Sequence, residues 1–299
     1  MRQLLMLTRR NVKLFFKDKG MFLSSLITPI ILLVLYMTFL AKIYKDTFAG
    51  SMPDGFTLDQ GIINGTVGGQ LLASLLAVSC ITVAFCSNLI MVQDKVSGVK
   101  RDLMVSPIES YKVAIAYYLG TLLNTMIVCL FALIAGCIYL IAVGGWYLSA
   151  VDVVLLIVDV FLLTMFGTAL SSIVNTFLTT QGQMSAVGTI VSAGYGFICG
   201  AYMPISNFGD GLQKALSLLP GTYGTSLVKN HTLRGVLEEM KNSGVPSQVV
   251  DGIKGSIDCS FDFFGHDVSI TAMYLVMIIS VLALVGIYVL INVLRKNRI

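Results

Sequence analysis

Charge is scarce in this chain. Only 12% of its 299 residues are charged, tryptophan occurs once, histidine twice and proline six times. A soluble domain carries roughly a quarter charged residues, so this shortage, with a mean hydropathy of +0.85, excludes an ordinary soluble protein and implies an integral membrane protein. The net charge of +4 is too small an excess to point to nucleic acid. No Gly-Lys dipeptide occurs, hence no phosphate loop of the G-x-x-x-x-G-K-[ST] kind, and neither HExxH nor G-x-S-x-G is present. The chain is therefore expected not to be an enzyme and not to burn ATP by that route. Five of the six cysteines lie in apolar stretches and only Cys259 lies elsewhere, with no CxxC, which leaves no staple and no metal site to propose. His231 and His266 both fall in a long polar connection; each is read as an exposed polar residue, and a membrane-embedded histidine acid–base pair is not expected.

Six apolar stretches approach or exceed the roughly 20 residues that cross a bilayer. They lie near 21–40, 69–91, 113–143, 151–177, 184–203 and 268–293. The first outlasts the core of a signal peptide and no small-residue cleavage pattern follows it, so it is read as retained. Thirteen of the twenty Lys and Arg residues sit in the head, in the stretch between the second and third spans and in the tail, whereas Lys42, Lys45 and five cations spread through 204–267 lie opposite. That bias places both termini in the cytosol of a multi-pass protein of the cell membrane. The expected fold is all-α: a single transmembrane domain over 1–299, with a surface helix over 1–20, a charged cytosolic loop over 92–109 and an outer loop over 204–267.

At 100° per residue Arg9, Arg10, Lys13 and Lys17 share one face of the head, with Leu4, Leu7, Val12, Leu14 and Phe15 on the other. This is the pattern of an amphipathic helix lying in the membrane surface. Between the second and third spans "VQDKVSGVKRDLMVSPIESYK" concentrates both signs of charge. Taken as one helix over 92–104, Val92, Val96, Val99 and Leu103 form an apolar stripe, and Asp94, Lys95, Arg101 and Asp102 face away from it. Lys100 stands at its margin and Ser106–Pro107 breaks it. Acids add nothing to orientation, but they suit a surface that docks a protein carrying both signs of charge; a solvated loop of orienting cations is the plainer reading.

Asp152 stands at the edge of the fourth span, and Asp159 two turns deeper must face protein or a wet cavity. Asp159 is either a hydrogen-bond partner in helix packing or part of a polar pathway, where an acid with no embedded basic partner makes a weak proton relay. The fifth span is glycine-rich. Gly196 and Gly200 form a G-x-x-x-G pair that allows close helix approach, while the glycines with Pro204 also permit a broken or re-entrant helix. Beyond it Leu212, Leu216 and Leu219 mark an outer amphipathic helix ended by Pro220 and Gly221, and 233–240 and 249–253 are helix-like.

With its order of segments, "KDKGMFLSSLITPIILLVLY", "QDKVSGVKRDLMVSPIESYKVAIAY" and "GFICGAYMPISNFGDGLQKALSLLPGTYG", the chain resembles the membrane (permease) subunits of type-2 ABC transporters over nearly its whole length. The resemblance implies a permease of six transmembrane helices that exports its substrate. It further implies a coupling helix between the second and third spans that seats in a cytosolic ATP-binding subunit, and a second permease chain, identical or related, across the pathway. Asp94, Lys95, Gly98, Lys100, Arg101, Asp102, Pro107 and Glu109 then become the partner-binding residues, and Asp159, Gly196 and Gly200 the pathway or packing residues. The family's Glu-x-x-x-Gly is replaced here by Asp94 and Gly98. No cofactor is implied in this chain; ATP and magnesium belong to the partner. Two rivals remain: a membrane scaffold or sensor that docks a cytosolic protein through the same loop, and a secondary transporter built on Asp159.

Overall fold

The computed structural model describes residues 1–36, 38, 42, 59–106, 108–260, 262–263 and 266–296. Pro107, Lys45 and Arg298 lie outside the described residues. Among the described residues the regular structure is all helical apart from one pair of two-residue strands, Asp262–Phe263 with His266–Asp267.

Helix α1, Arg2–Lys17, ends where Asp18 leaves helical geometry, and α2, Lys19–Leu35, starts there because the Asp18 carboxylate accepts the Met21 N–H at 3.0 Å. Phe15, Phe16 and Phe22 stack at this elbow, with ring centroids 5.1 to 6.0 Å apart. Leu5, Met6 and Phe16 stay exposed, as a surface helix requires, but α1 meets protein through Thr8, Asn11 and Phe15. This is not the purely apolar face that the periodicity suggests. Asn11 Nδ2 donates to the Ala116 carbonyl at 3.2 Å.

The centre is α3, Gln60–Val96, whose most apolar window is 89% buried. Its Gly, Ala, Ser and Thr positions let α2 and the helices Ser110–Ala142, Ala150–Phe177, Gln181–Ile198 and Pro220–Asn242 close on it from every side. A short helix α4, Val99–Val105, follows; then come α5, Ser110–Ala142, and α6, Ala150–Phe177, the latter opened by a capping box between Ser149 and Asp152. Helix α7 is Gln181–Ile198, α8 Asp210–Ser217, α9 Pro220–Asn242, α10 Ser247–Ser256 and α11 Ile270–Lys296. Four of these, α3, α5, α6 and α11, are long and apolar enough to cross a membrane. The count of six does not carry over directly: α2 is a shorter apolar helix as far as it is described, and the 18 residues of α7 include Gln181, Gln183, Ser185, Thr189 and Ser192.

Two expectations for the fifth span and its sequel change. Helix α7 is unbroken, and it stops at Gly200, whose φ of +73° suits glycine alone, while the Ala201 N–H returns to the Gly196 carbonyl at 2.9 Å. Gly196 does not serve a helix–helix contact; a Cβ there would strike the folded-back Tyr202 ring. Nor does Pro220 end a helix. The preceding helix stops at Ser217, and Pro220 occupies the first turn of α9, where its missing N–H costs nothing.

Helix α9 is the larger surprise, because the segment expected to lie outside enters the bundle. Gly224, near its start, packs on Leu163 of α6 and Met277 of α11, about 20 Å along α6 at 1.5 Å per residue. Arg234, ten residues later, reaches Asp152 in the first turn of α6. The first turns of α9 are thus buried at depth in the bundle, from Gly221 to Lys229, while Leu218 and Leu219 of the α8–α9 turn are exposed.

Candidate functional site

Polar groups gather at three places: the α4 end of the bundle, a cavity along α2, α3 and α7, and the contact of α9 with α6 and α11.

At the α4 end, helix α3 runs on to Val96, and the chain turns at Gly98, whose φ of +85° a side chain would resist. This turn divides the single helix expected over 92–104 and sends its charges different ways. Asp94 points inward: both its oxygens take Arg10 of α1, at 2.7 and 2.9 Å, and the Tyr117 hydroxyl of α5 donates to it at 2.6 Å. Hydrogen bonding to Asp94 raises the Arg10 pKa above its ordinary value. Lys95 also turns into the protein, where its Nζ donates to the carbonyls of Asn175, Thr176 and Leu178 at 2.7, 2.8 and 2.9 Å and closes the last turn of α6. Neither residue is on a docking face. Arg101 and Asp102 are exposed, Lys100 is half-buried, and exposed Glu109 pairs with Lys112 at 2.6 Å. Leu103 packs under α4 against the cluster of Phe15, Met91 and Tyr117, whereas Val96, expected on the apolar stripe, is exposed.

The cavity, about 1230 Å³, opens between α2, α3 and α7 and is bounded at one end by Tyr202, Asn207 and α10. None of its described lining residues is charged; Thr66, Gln70, Ser74, Ser185, Thr189 and Ser192 supply polar groups on an apolar wall. The Gln70 carboxamide is buried and has no hydrogen-bond partner among the described residues. Ser185 and Thr189 are exposed on the same face of α7, and such polar groups in a membrane need protein or water opposite them.

In the third place, Asp159 is buried and fully engaged. His231 Nδ1 lies 2.5 Å from its Oδ2, and the Tyr274 hydroxyl donates to its Oδ1 at 2.6 Å. His231 is itself buried, which overturns both its reading as an exposed residue and the expectation of no embedded histidine pair. Asp152, one end of the capping box, pairs with Arg234 at 2.7 Å. On the opposite face of α9, Lys229 is wholly buried; its Nζ donates to the Gly200 carbonyl at 2.8 Å and lies 3.4 Å from Asp258. Asp258 also accepts the Ile205 N–H at 2.6 Å.

The sequence offered one clue to these contacts. Asp152 and Asp159 stand seven residues apart, hence on one face of α6, while His231 and Arg234 stand three apart on one face of α9, so a helix laid across the other brings two acids to two bases. Reading 204–267 as wholly outer removed the basic partners from view. Lys229 and Gln70 carry no signal in the sequence, and Arg10, read only as part of the basic face of the head, gives no sign of Asp94, because a long-range partner or a cavity leaves no local pattern.

A multi-pass helical membrane protein with a central buried helix, a charged turn at one end of the bundle and an open polar cavity face is the class that these features define. Residues 2–230 match the family model described as ABC-2 type transporter, and the chain belongs to that family as a transmembrane subunit of an ABC transporter. No curated protein and no solved structure matches it.

Proposed function

We propose that the chain is the permease of an ATP-driven exporter in the cell membrane. In this reading α2 and α7 complete a set of six spans, both termini are cytosolic, and substrate leaves toward the side that carries α8 to α10. The chain itself hydrolyses nothing; ATP and magnesium are held by a separate cytosolic subunit on which α4, with Lys100, Arg101, Asp102 and Glu109, is seated. Two permease chains, identical or related, face each other across the cavity, which covers the polar side of α7.

The observation that carries this reading is how α4 is mounted. It hangs from the most buried helix of the bundle by a single glycine turn, and the residues just before that turn are tied to α1 by Asp94–Arg10 and to the end of α6 by Lys95. A push on α4 is therefore passed to three helices at once. A displacement at an untethered loop would be dissipated in local bending. The Asp94 role changes accordingly, from docking acid to internal strut.

The test is reconstitution with the ATP-binding subunit. Reversing Lys100 and Arg101 to Glu should abolish substrate-stimulated ATP hydrolysis and transport, with the permease still folded because neither residue supports the core. Unchanged stimulation would remove α4 from the coupling path. A proton-driven carrier is the second reading, favoured by the His231 partner on Asp159; it requires transport driven by a pH gradient with no ATP present.

A further inference from the structure

The segment from the end of α7 through α10 is internally knotted by polar contacts of its own. Lys229 binds Asp258 and the Gly200 carbonyl, the Ser226 hydroxyl donates to the Asp258 carbonyl at 2.7 Å, and Asn230 donates to the Cys259 carbonyl at 2.6 Å. Leu233, Val236, Leu237 and Met240 form a small cluster with Val250 and Ile253, into which Ile62 of α3 also reaches, while Tyr223, Leu227 and Val228 join the main core. Among the described residues, the ion pairs that cross from this unit to the spanning helices are two, His231–Asp159 and Arg234–Asp152.

These two pairs differ in kind. Arg234 is always charged, half in solvent, and balanced by Asp152. Asp159, His231 and Tyr274 are the contact whose charge depends on a proton. With a neutral imidazole donating from Nδ1, the three groups carry a net charge of −1 away from water; with one more proton they form a neutral imidazolium–carboxylate pair in the same geometry. A buried net charge is costly and a buried matched pair much less so. The other charged or titratable groups around the contact do not supply the missing charge. On α6 it is Asp152, already paired; on α11, Tyr274; on α9, Arg234, spent on Asp152, Lys229, turned to Asp258, and Glu238 and Glu239, which add only negative charge. Helix α3 has no charged side chain from Gln60 to Gln93, and farther out Lys241 lies 4.0 Å from Asp251.

We propose that Asp159, His231 and Tyr274 are a proton-operated latch that holds the α9 unit against α6 and α11. The proton closes it; loss of the proton on the side bearing α8 to α10 leaves an unbalanced buried carboxylate, which is relieved when α9 withdraws toward water. Its consequence for transport, faster outward release as that side becomes more alkaline, rests on the export reading; the latch does not.

The single tryptophan reports the latch without any partner subunit. Trp146 adjoins Tyr147, whose backbone carbonyl is in van der Waals contact with Gly235 of α9. In the full chain in lipid nanodiscs, Trp146 emission should shift to the red as pH rises, and this titration should be lost in His231→Gln, which keeps a donor but takes up no proton. Emission that is flat in the wild type, or that titrates identically in His231→Gln, overturns the latch. Should His231→Gln fail to give a monodisperse protein, Tyr274→Phe decides: removing the second donor to Asp159 should move the midpoint, and an unmoved midpoint overturns the proposal. A normal titration in a chain that no ATP-binding subunit can drive would leave the latch standing and remove the exporter.

Discussion

Lys229 is costly to bury, because its ammonium is fully removed from water and its neighbours are one carboxylate and one carbonyl. Asp258→Ala should therefore destabilise the protein by about 3–5 kcal/mol, the range for stranding one member of a buried pair. Lys229→Met should cost less, since Asp258 keeps the Ile205 N–H. Chemical unfolding in detergent separates the two. Cys259, one residue on, gives a pH dependence. Burial pushes its thiol from the ordinary 9.0 up to about 12, so the folded state keeps a proton that the unfolded state releases. The sign follows: its contribution is full below about pH 9 and is lost as pH rises toward about 12. Thermal midpoints should fall across that window in the wild type and fall less in Cys259→Ala, and maleimide should label the native thiol slowly at pH 8.

At the scale of elements, glycine contacts separate tight joints from forgiving ones. A Cβ on Gly235 would run into the Tyr147 backbone carbonyl, whereas one on Gly136 would meet the flexible Leu72 side chain. Gly235→Ala should thus detach the outer part of α9 from the α5–α6 turn and cost more than the about 1–3 kcal/mol of ordinary overpacking, with Gly136→Ala within that range; yield of folded protein and thermal midpoint check the order. Which elements could be read in advance follows from the same physics. Helices α3, α5, α6 and α11 announce themselves because lipid demands an uninterrupted apolar run. Helix α9 does not, since "SLVKNHTLRGVLEEMKN" is as polar as a soluble helix and is admitted to the bundle only by Asp159, Asp152 and Asp258, each far away in the chain. At the charged loop a periodic stripe read straight through Gly98 misses the point at which the helix axis changes. That glycine turn is the reason Asp94 and Lys95 face inward.

For the whole molecule, the cavity along α2, α3 and α7 is where the export reading is tested. Thr189 is exposed on the α7 wall and supports nothing in the core. Thr189→Trp should block passage while leaving folding and the docking of an ATP-binding subunit intact, so that transport falls by at least about tenfold, or 1.4 kcal/mol, and basal ATP hydrolysis persists. Flux and hydrolysis measured in the same vesicles check this. Retained flux would place the route elsewhere in the assembly. Because no charge lines the described wall, loss of transport in this variant should be as large for uncharged test compounds as for any other.

The 37 residues of α3 have one more consequence. At 1.5 Å per residue the helix is about 55 Å long, well beyond an apolar layer of about 30 Å, and it is clamped at its α4 end by Arg10, Tyr117 and the end of α6. A rigid rod held there needs to swing by only about 5° for its far end to sweep about 5 Å, close to the width of a hydrocarbon chain. A small displacement imposed at the α4 end is therefore magnified at the far end of α3 by geometry alone.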